Sequence, residues 1–228
     1  MSDLAIVLLL MPVAYLIGTF PSAELVGRRK GVDITAEGSG NPGASNTFRL
    51  LGWKAGAVVF ALDFAKGALA AGVGIVVDGH LGAFVLGGAA IIGHTLPITR
   101  KFKGGRGVAT GAGVVFVIFP LLTVAGALLW GLVVRITHKA SVASITVMVA
   151  FPFAVAIAGH TATDIAVVTG LSLLVIARHW SNLRRLVRGE ELGIDDAGDV
   201  GRDRGRDAGG DVANGMANDV DGDGEPAG

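Results

Sequence analysis

Three polar segments interrupt an otherwise apolar chain, and their residue types suit the binding of a small anion. The first, EGSGNPGASNTFR, covers residues 37–49. Its glycines let a ligand approach the backbone, its serines and asparagines offer neutral hydrogen-bonding groups, and its arginine supplies a fixed cation. This combination favours an anionic ligand that also carries hydroxyl groups. The binding candidates are Ser39, Gly40, Asn41, Gly43, Ser45, Asn46 and Arg49.

An ordinary turn rich in glycine and asparagine remains an alternative for this first segment. Residues 38–43 also match the pattern G-x-G-x-x-G, but they follow an apolar helical run and contain Pro42. A dinucleotide site needs that pattern between a strand and a helix. The sequence therefore argues against a dinucleotide-binding function.

The second segment, GHTLPITRKFKGGRGVATG, covers residues 93–111 and contains a cationic, glycine-rich loop. Lys103, Gly104, Gly105 and Arg106 lead directly into the next apolar run, where the amides of a helix N-terminus attract phosphate. We therefore predict a phosphate-binding loop that is not a Walker A motif. The alternative is a signal for membrane topology, although such a signal needs no glycines.

The third segment, RHWSNLRRLVRGEE, covers residues 178–191. His179 and Asn182 are three residues apart and so share one face of a helix. They form either a ligand-binding pair or a hydrogen-bonded helix end.

Four further polar residues lie in or beside the apolar runs. Asp63 and Lys66 sit three residues apart inside one run, where charge is costly. They form either an ion pair that braces the helices or a functional pair. Ser141 and Ser144 follow a basic connection and either reach a polar headgroup or join helix to helix. We count Ser141 among the substrate-binding candidates.

Several catalytic classes find no support in the sequence. The H-x-x-x-x-D pair of the better-known glycerolipid acyltransferases is absent, because His160 and Asp164 are only four residues apart. There is no G-x-S-x-G motif and no cysteine, so a serine-hydrolase elbow, a cysteine nucleophile and a zinc–thiolate site are excluded. We expect neither a metal nor another cofactor.

The elements that must position these segments are membrane helices. The chain has 228 residues, of which 51% are hydrophobic and 17% charged, with 36 glycines. A membrane-spanning helix needs roughly 20 mainly apolar residues, and several runs reach that length. No period of 3.6 or 2 runs through them, which excludes amphipathic soluble elements. The apolar runs cover residues 4–26, 55–77, 80–98, 108–134, 140–158 and 165–177.

The basic residues predict how these helices are threaded. They cluster in segments 28–54, 100–106, 135–139 and 178–188, whereas connections 78–80 and 159–164 contain none. The positive-inside rule places all four basic segments in the cytoplasm. The run 108–134 must then break near Phe119 and Pro120 so that both of its ends lie on that side. We predict an all-α polytopic bundle of about seven helical segments, with the N-terminus outside and the C-terminus cytoplasmic.

The formal net charge of zero is an average over two unlike regions. From Glu190 onward the chain has 12 acidic and 3 basic residues, a net charge of −9, and the preceding 189 residues carry +9. The end of the chain is rich in aspartate and glycine and has little apolar surface to bury. We predict an integral membrane domain over residues 1–191 and a disordered acidic tail over residues 192–228.

Taken together, the three polar segments resemble in order and spacing the signature motifs of the acyl-phosphate:glycerol-3-phosphate acyltransferase family. Smaller similarities are YLIGTFPSAELVGR from Tyr15, DFAKG from Asp63 and SVAS from Ser141. The resemblance extends from about Tyr15 to Glu191 and omits the tail. Family members are seven-helix membrane enzymes with a cytoplasmic active site, which agrees with the number of helices predicted from charge and length.

The resemblance implies transfer of a fatty acyl group from acyl-phosphate to the 1-hydroxyl of glycerol 3-phosphate, giving lysophosphatidic acid and phosphate. It implies a structural role for Glu191 and leaves His179 either a general base or a positioning residue. Arg106 stands where the family usually has lysine, and Ser45 where threonine is common. The implied catalytic residues are Ser39, Arg49, Lys103, His179 and Asn182, and Gly104, Gly105 and Arg106 would bind glycerol phosphate.

The partners that follow are the two substrates and the lipid bilayer of the cell membrane, with no nucleic acid and a monomeric protein. Two other classes of function remain open. A transporter or binding protein for a phosphorylated solute would also use polar loops and broken helices. A membrane scaffold would tolerate substitution of Ser39 and Arg49.

Overall fold

The computed structural model describes residues 2–196 of the chain. Every regular element in this range is helical, which confirms the predicted all-α class. A 3-10 turn covers Ile98–Arg100. The helices are α1 Asp3–Gly18, α2 Ser22–Arg29, α3 Ala44–Thr95, α4 Val108–Ile118, α5 Pro120–Thr137, α6 Ala140–Ile157, α7 Ala162–Arg178 and α8 Trp180–Val187.

The long helix α3 consists of three parts, residues 44–51, 53–77 and 80–95. Its helical geometry fails at Gly52, with φ of 80°, and at Asp78 and Gly79. Gly79 has φ of 53°, a left-handed conformation that glycine adopts without a steric penalty. Gly74 and Gly82 meet across this bend, since a Cβ on either would lie 2.2 Å from the carbonyl oxygen of the other. The second and third parts therefore run antiparallel.

The break predicted inside the apolar run 108–134 is confirmed. Helix α4 ends at Ile118 and α5 begins at Pro120, a position where the missing N–H of proline costs nothing. The ring of Phe119 lies 4.5 Å from that of His160 and 5.8 Å from that of His80, centroid to centroid. The break therefore lies at the same end of the bundle as the two connections that lack basic residues.

The predicted number of helical segments is also confirmed. Four stretches within residues 2–196 are long and apolar enough to cross a membrane, namely Asp3–Arg29, Ala44–Arg100, Pro120–Thr137 and Ala140–Ile157, and the bent pair α7 and α8 passes the same test jointly. Since the second of these folds back at Gly79, and α4 is a shorter apolar helix, the bundle has seven apolar segments. They are α1, residues 53–77 and 80–95, α4, α5, α6 and α7.

The first apolar run differs from its expected form. The sequence predicts one segment over residues 4–26, but α1 ends at Gly18 and α2 starts afresh at Ser22. Pro21 lies between them and has no N–H with which to continue a helical hydrogen-bond ladder. Helix α2 is therefore a separate element, which places its charged residues at the end of the bundle.

Glycines allow the helices to approach one another closely. A Cβ on Gly67 would lie 2.1 Å from the Thr110 carbonyl oxygen, and one on Gly113 would lie 2.1 Å from that of Phe64. Such small-residue contacts are typical of helix packing in lipid, where no hydrophobic force drives association. They fix α4, which follows the cationic loop, against the middle of α3.

The outer surface of the bundle is apolar, as a lipid-facing surface must be. Val76, Leu121 and Ile157 are each more than 80% exposed, and α5 has no fully buried residue. Inside, Phe84, Val114 and other apolar residues, mainly of α3, α4, α6 and α7, form the main core cluster.

Candidate active site

The third polar segment, residues 178–191, contributes His179 and Asn182 to the site. Helix α7 ends at Arg178, and α8 leaves it at an angle of 55°. At the bend, Nδ1 of His179 donates a hydrogen bond to the Val175 carbonyl oxygen at 2.8 Å. Asn182 lies one turn further, and both side chains are only 2% exposed. The predicted pair therefore faces the protein interior.

The Glu191 carboxylate links two side chains of this segment by hydrogen bonds. Its Oε1 accepts a hydrogen bond from Nδ2 of Asn182 at 2.5 Å, and its Oε2 accepts one from Nε of Arg185 at 2.8 Å. The Ser141 hydroxyl also faces this carboxylate and affects its pKa, although it lies outside hydrogen-bonding geometry. Burial alone would raise the pKa of Glu191, but the polar groups of Asn182, Ser141 and Arg185 lower it below its ordinary value. The carboxylate is therefore ionised at neutral pH.

The cationic loop packs directly on His94. A Cβ on Gly104 would lie 2.1 Å from the His94 carbonyl oxygen, and one on Gly105 would lie 2.2 Å from Nε2 of its ring. Only glycine fits at either position. Nη2 of Arg178 donates to the Gly104 carbonyl oxygen at 3.2 Å, which joins the third segment to the second. Lys103 is exposed, and its ammonium group makes no hydrogen bond or ion pair with the described residues.

Asn46 organises the first segment. Its Oδ1 accepts from the Ser39 backbone N–H at 2.9 Å and from Nη1 of Arg49 at 3.3 Å. Its Nδ2 donates to the carbonyl oxygens of Ile34 and Glu37, each at 3.0 Å. The amide thus uses both of its hydrogens and its oxygen within the protein, which makes Asn46 a residue that shapes the loop.

The remaining candidates of the first segment set its backbone path. Gly38 and Gly40 have φ of 60° and 66°, where a side chain would be strained. Gly43 is the N-cap of α3, and a Cβ there would lie 2.8 Å from Nδ2 of Asn41.

Arg49 is buried and reaches residues predicted to lie in the tail. Its Nε donates to the Gly193 carbonyl oxygen at 2.9 Å, and its Nη2 to that of Leu192 at 3.5 Å. The Ile194 N–H in turn donates to the His138 carbonyl oxygen at 2.7 Å. Residues 192–196 therefore cross the end of the bundle between the first segment and the connection from α5 to α6. Tail residues 197–228 lie outside the described part of the chain.

Four arginines lie around the carboxylate of Glu191. Burial lowers the pKa of Arg106 to about 10; Glu191 opposes this effect, whereas the charges of Arg185, Arg49 and Arg178 reinforce it. Guanidinium groups stay charged at neutral pH, so the four arginines exceed the carboxylates of Glu191 and Asp196, the latter acting on Arg49, by two positive charges. A cluster of this kind attracts anions, and guanidinium groups pair well with phosphate.

The same region holds buried polar atoms that have no hydrogen-bonding partner. Buried polar groups in proteins are nearly always paired, so a group of atoms with no protein partner is available to a polar ligand or to ordered water. Three hydroxyl or amide oxygens and two guanidinium nitrogens are affected. They are Oγ of Ser39, Oγ of Ser141, Oδ1 of Asn182, Nε of Arg178 and Nη2 of Arg185.

Arg178 and Arg185 are site residues that the sequence reasoning did not identify. Their seven-residue separation is two helical turns, and this spacing could have placed them on the side of His179 and Asn182. Positive charge at the end of a membrane helix is, however, also what topology requires.

The charged pair Asp63 and Lys66 in α3 supports the cationic loop through His94. Nζ of Lys66 lies 2.8 Å from Oδ1 of Asp63, which also accepts a hydrogen bond from the Ser22 hydroxyl at 2.8 Å. Nδ1 of His94 lies 3.7 Å from the same carboxylate oxygen. Since the His94 ring supports Gly105, the network connects α2 and α3 to the loop.

An apolar cavity of about 560 Å³ opens beside this polar site. Ser45, Gly107 and Ile194 lie at the polar end, where the first segment, the cationic loop and the crossing residues meet. Phe60, Trp130 and Phe151 line the remainder. Within residues 2–196, no group of three histidine, cysteine, aspartate or glutamate side chains is placed to hold a metal ion.

Fold and site together define an integral membrane protein in which a cationic polar site lies beside an apolar cavity. A family model described as glycerol-3-phosphate acyltransferase matches residues 8–189. Glycerol-3-phosphate acyltransferase of Bacillus subtilis is 39% identical over 190 residues, which are 82% of this chain and 96% of that protein. The corresponding protein of Thermoanaerobacter sp. is 39% identical over 180 residues, covering 78% and 91%.

The fold is similar to crystal structures of PlsY (YgiH), an integral membrane glycerol 3-phosphate acyltransferase. The glycerol 3-phosphate form aligns with a TM-score of 0.78 and 36% identity, covering 82% of this chain and 94% of that one. The lysophosphatidic acid form aligns with a TM-score of 0.76. The chain belongs to the glycerol-3-phosphate acyltransferase family.

Proposed function

We propose that this protein transfers a fatty acyl group from acyl-phosphate to the 1-hydroxyl of glycerol 3-phosphate, at the cytoplasmic face of the cell membrane. One observation carries the proposal: the segments that hold four arginines and several unpartnered polar groups also line one end of an apolar cavity, through Ser45, Gly107 and Ile194. An acyl-phosphate has a charged head and an apolar chain, and the site offers a place for each. The protein acts as a monomer with its N-terminus outside.

The cations would hold two phosphate groups. Arg106, Arg178 and Arg185 surround the region of Glu191, and the exposed Lys103 adds a flexible charge beside them. Charge-assisted hydrogen bonds from guanidinium groups fix a phosphate in orientation as well as in position. With glycerol 3-phosphate and the acyl-phosphate head both bound, the acceptor hydroxyl and the carbonyl carbon are held in one place.

The transfer itself needs no covalent enzyme intermediate, because phosphate is a good leaving group. The 1-hydroxyl oxygen forms a bond to the carbonyl carbon, and the bond from that carbon to the phosphate oxygen breaks. The hydroxyl proton passes to the departing phosphate. The free oxygens of Ser39, Ser141 and Asn182 are suited to orient the attacking hydroxyl, and the arginines stabilise the charge that develops.

His179 acts in this scheme as a positioning residue. Burial lowers its pKa to about 4, so the ring is neutral at pH 7 and its Nδ1 hydrogen is committed to Val175. We expect His179→Gln to lower kcat by roughly ten-fold through lost orientation. Because the group is deprotonated throughout, the ratio of wild-type to variant kcat should stay constant between pH 6 and 8. A ratio that rises through pH 6.5 would instead assign His179 the role of general base.

The apolar cavity would hold the acyl chain, and its width should limit chain length. A Cβ on Gly126 would lie 3.5 Å from Val147 and 3.6 Å from Phe151, two residues that line the cavity. We expect Gly126→Val to raise the KM for long-chain acyl-phosphates by about ten-fold and to spare short ones. Gly131→Val is a matched control in the same helix, because nothing lies within 4 Å of it. Equal effects of the two substitutions would place the acyl chain elsewhere.

The donor can be tested by mass spectrometry of the product. Purified protein is incubated with glycerol 3-phosphate and either acyl-phosphate, acyl-CoA or acyl carrier protein loaded with the same chain. We expect lysophosphatidic acid from acyl-phosphate alone. Product formed only from a thioester donor would overturn the proposed donor while leaving the acceptor in place.

A further inference from the structure

A second groove lies on the side of α3 away from the acyl cavity, and the two share no lining residue. It is formed by the end of α1, by α2, by residues 53–77 and by the 3-10 turn, and it has a volume of about 970 Å³. It lies at the same end of the bundle as the candidate active site. The acyltransfer reaction assigns it no role.

The groove is lined by apolar side chains at one end and by charged side chains at the other. Leu16, Ile17 and Leu69 form an apolar wall, and Leu16 and Leu69 are each 56% exposed at the outer surface of the bundle. In a bilayer these side chains contact lipid chains. Arg28 and Arg100 lie at the other end of the groove, where the helices reach the polar region.

Some N–H groups of the cationic side chains in the groove have no hydrogen-bond acceptor within the described part of the chain. Nη1 of Arg100 pairs with Glu24 at 2.6 Å, but its Nε is buried without an acceptor. Lys66, which also lines the groove, is paired with Asp63 at 2.8 Å. The guanidinium group of Arg28 is exposed and forms no hydrogen bond or ion pair with the residues that the structure describes, although its charge acts on the Asp33 carboxylate. A phosphate between Arg28 and Arg100 could accept hydrogen bonds from the exposed guanidinium group of Arg28 and from the unpaired Nε of Arg100.

We propose that this groove binds an anionic glycerophospholipid of the surrounding bilayer, with its phosphate between Arg28 and Arg100 and its chains along Leu16 and Leu69. Basic pockets between helices at the cytoplasmic side are typical sites for anionic headgroups. The exposed apolar wall selects a lipid over a soluble phosphate, because only a lipid covers both parts of the groove. The site would be permanently supplied from the membrane.

Native mass spectrometry of the full chain, released from micelles that contain phosphatidylglycerol or phosphatidylcholine, tests the proposal. We expect retention of phosphatidylglycerol and little of phosphatidylcholine. Arg28→Gln should weaken phosphatidylglycerol retention about five-fold, which is the worth of one interfacial cation. Arg29→Gln is the matched control, since Arg29 is adjacent, exposed and outside the groove. The double variant Glu24→Gln with Arg100→Gln keeps the pair neutral and should weaken retention similarly.

Three results would overturn the proposal. Equal retention of the two lipids would show that charge does not select the occupant. Equal losses in Arg28→Gln and Arg29→Gln would show a diffuse surface effect instead of a groove. Displacement of phosphatidylglycerol by inorganic phosphate at millimolar concentration would assign the groove to a soluble anion.

Discussion

Gly104→Ala should lower kcat/KM for acyl transfer by about 10²-fold or more while leaving the protein in the membrane. The added Cβ would lie 2.1 Å from the His94 carbonyl oxygen and 2.7 Å from that of Thr95, and neither backbone atom can move aside without displacing α3. The loop itself must therefore shift. A displacement of about 1 Å in substrate-positioning groups costs on this order in rate.

Gly72→Ala provides the control, because a Cβ there meets nothing within 4 Å and Gly72 lies in the segment 53–77, which runs antiparallel to the segment that carries His94. Initial rates and the melting temperature in detergent should be measured for both variants. Wild-type kinetics for Gly104→Ala would show that the loop does not hold substrate. If the variant also loses thermal stability, Gly105→Ala offers a second test, since its Cβ would press on the His94 ring.

Asn182→Asp should be nearly as damaging, with a loss in kcat/KM of about 10²-fold. The substitution sets a carboxylate oxygen where the Asn182 amide nitrogen now lies, 2.5 Å from Oε1 of Glu191. Two like charges at that distance repel, and one positive charge of the surrounding excess is cancelled. Binding of an anionic substrate suffers on both counts.

The double variant Asn182→Asp with Glu191→Gln should recover about ten-fold of that loss. The exchange restores one amide and one carboxylate in reversed positions, and the introduced amide oxygen can still accept from Arg185. Kinetics of the two single variants and the double variant form a cycle that isolates the coupling. Additive losses would show that the contact between Asn182 and Glu191 is incidental to catalysis.

The helical framework was predictable because simple forces dictate it. The length of the apolar runs, the position of the basic segments and Pro120 were enough to predict seven segments and the break between α4 and α5. The convergence of the three polar segments follows from placing them at one end of the bundle. The division of the first run at Pro21 was missed, since apolar composition outweighed one proline.

The details of the site depended on tertiary contacts that the sequence does not encode locally. Asn46 reads as a ligand-binding amide, yet its hydrogen bonds are all used to shape its own loop. Residues 192–196 read as the start of a disordered tail, but the carbonyl groups of Leu192 and Gly193 meet Arg49. Ile194 also contributes to the acyl cavity. The prediction of disorder was based on the average composition of residues 192–228, which does not show that its first few residues make specific contacts.

The contact of Arg49 with residues 192–193 bears on its proposed catalytic role. Two of its three nitrogens donate to backbone carbonyl groups and the third to Asn46. Arg49 therefore joins the first segment to the end of the third and contributes its charge to the field around Glu191. These contacts use three of its five N–H groups, so a direct bond to substrate would come from the remaining hydrogen on Nη1 or Nη2.

The stoichiometry of phosphate release tests the central claim most directly. Purified protein in detergent, without any membrane gradient, is given acyl-phosphate and glycerol 3-phosphate, and inorganic phosphate and lysophosphatidic acid are measured together. An acyltransferase releases one phosphate for each lysophosphatidic acid formed, and release stops when glycerol 3-phosphate is omitted. Binding of glycerol 3-phosphate with no phosphate release above background would contradict the account and favour a transporter for a phosphorylated solute.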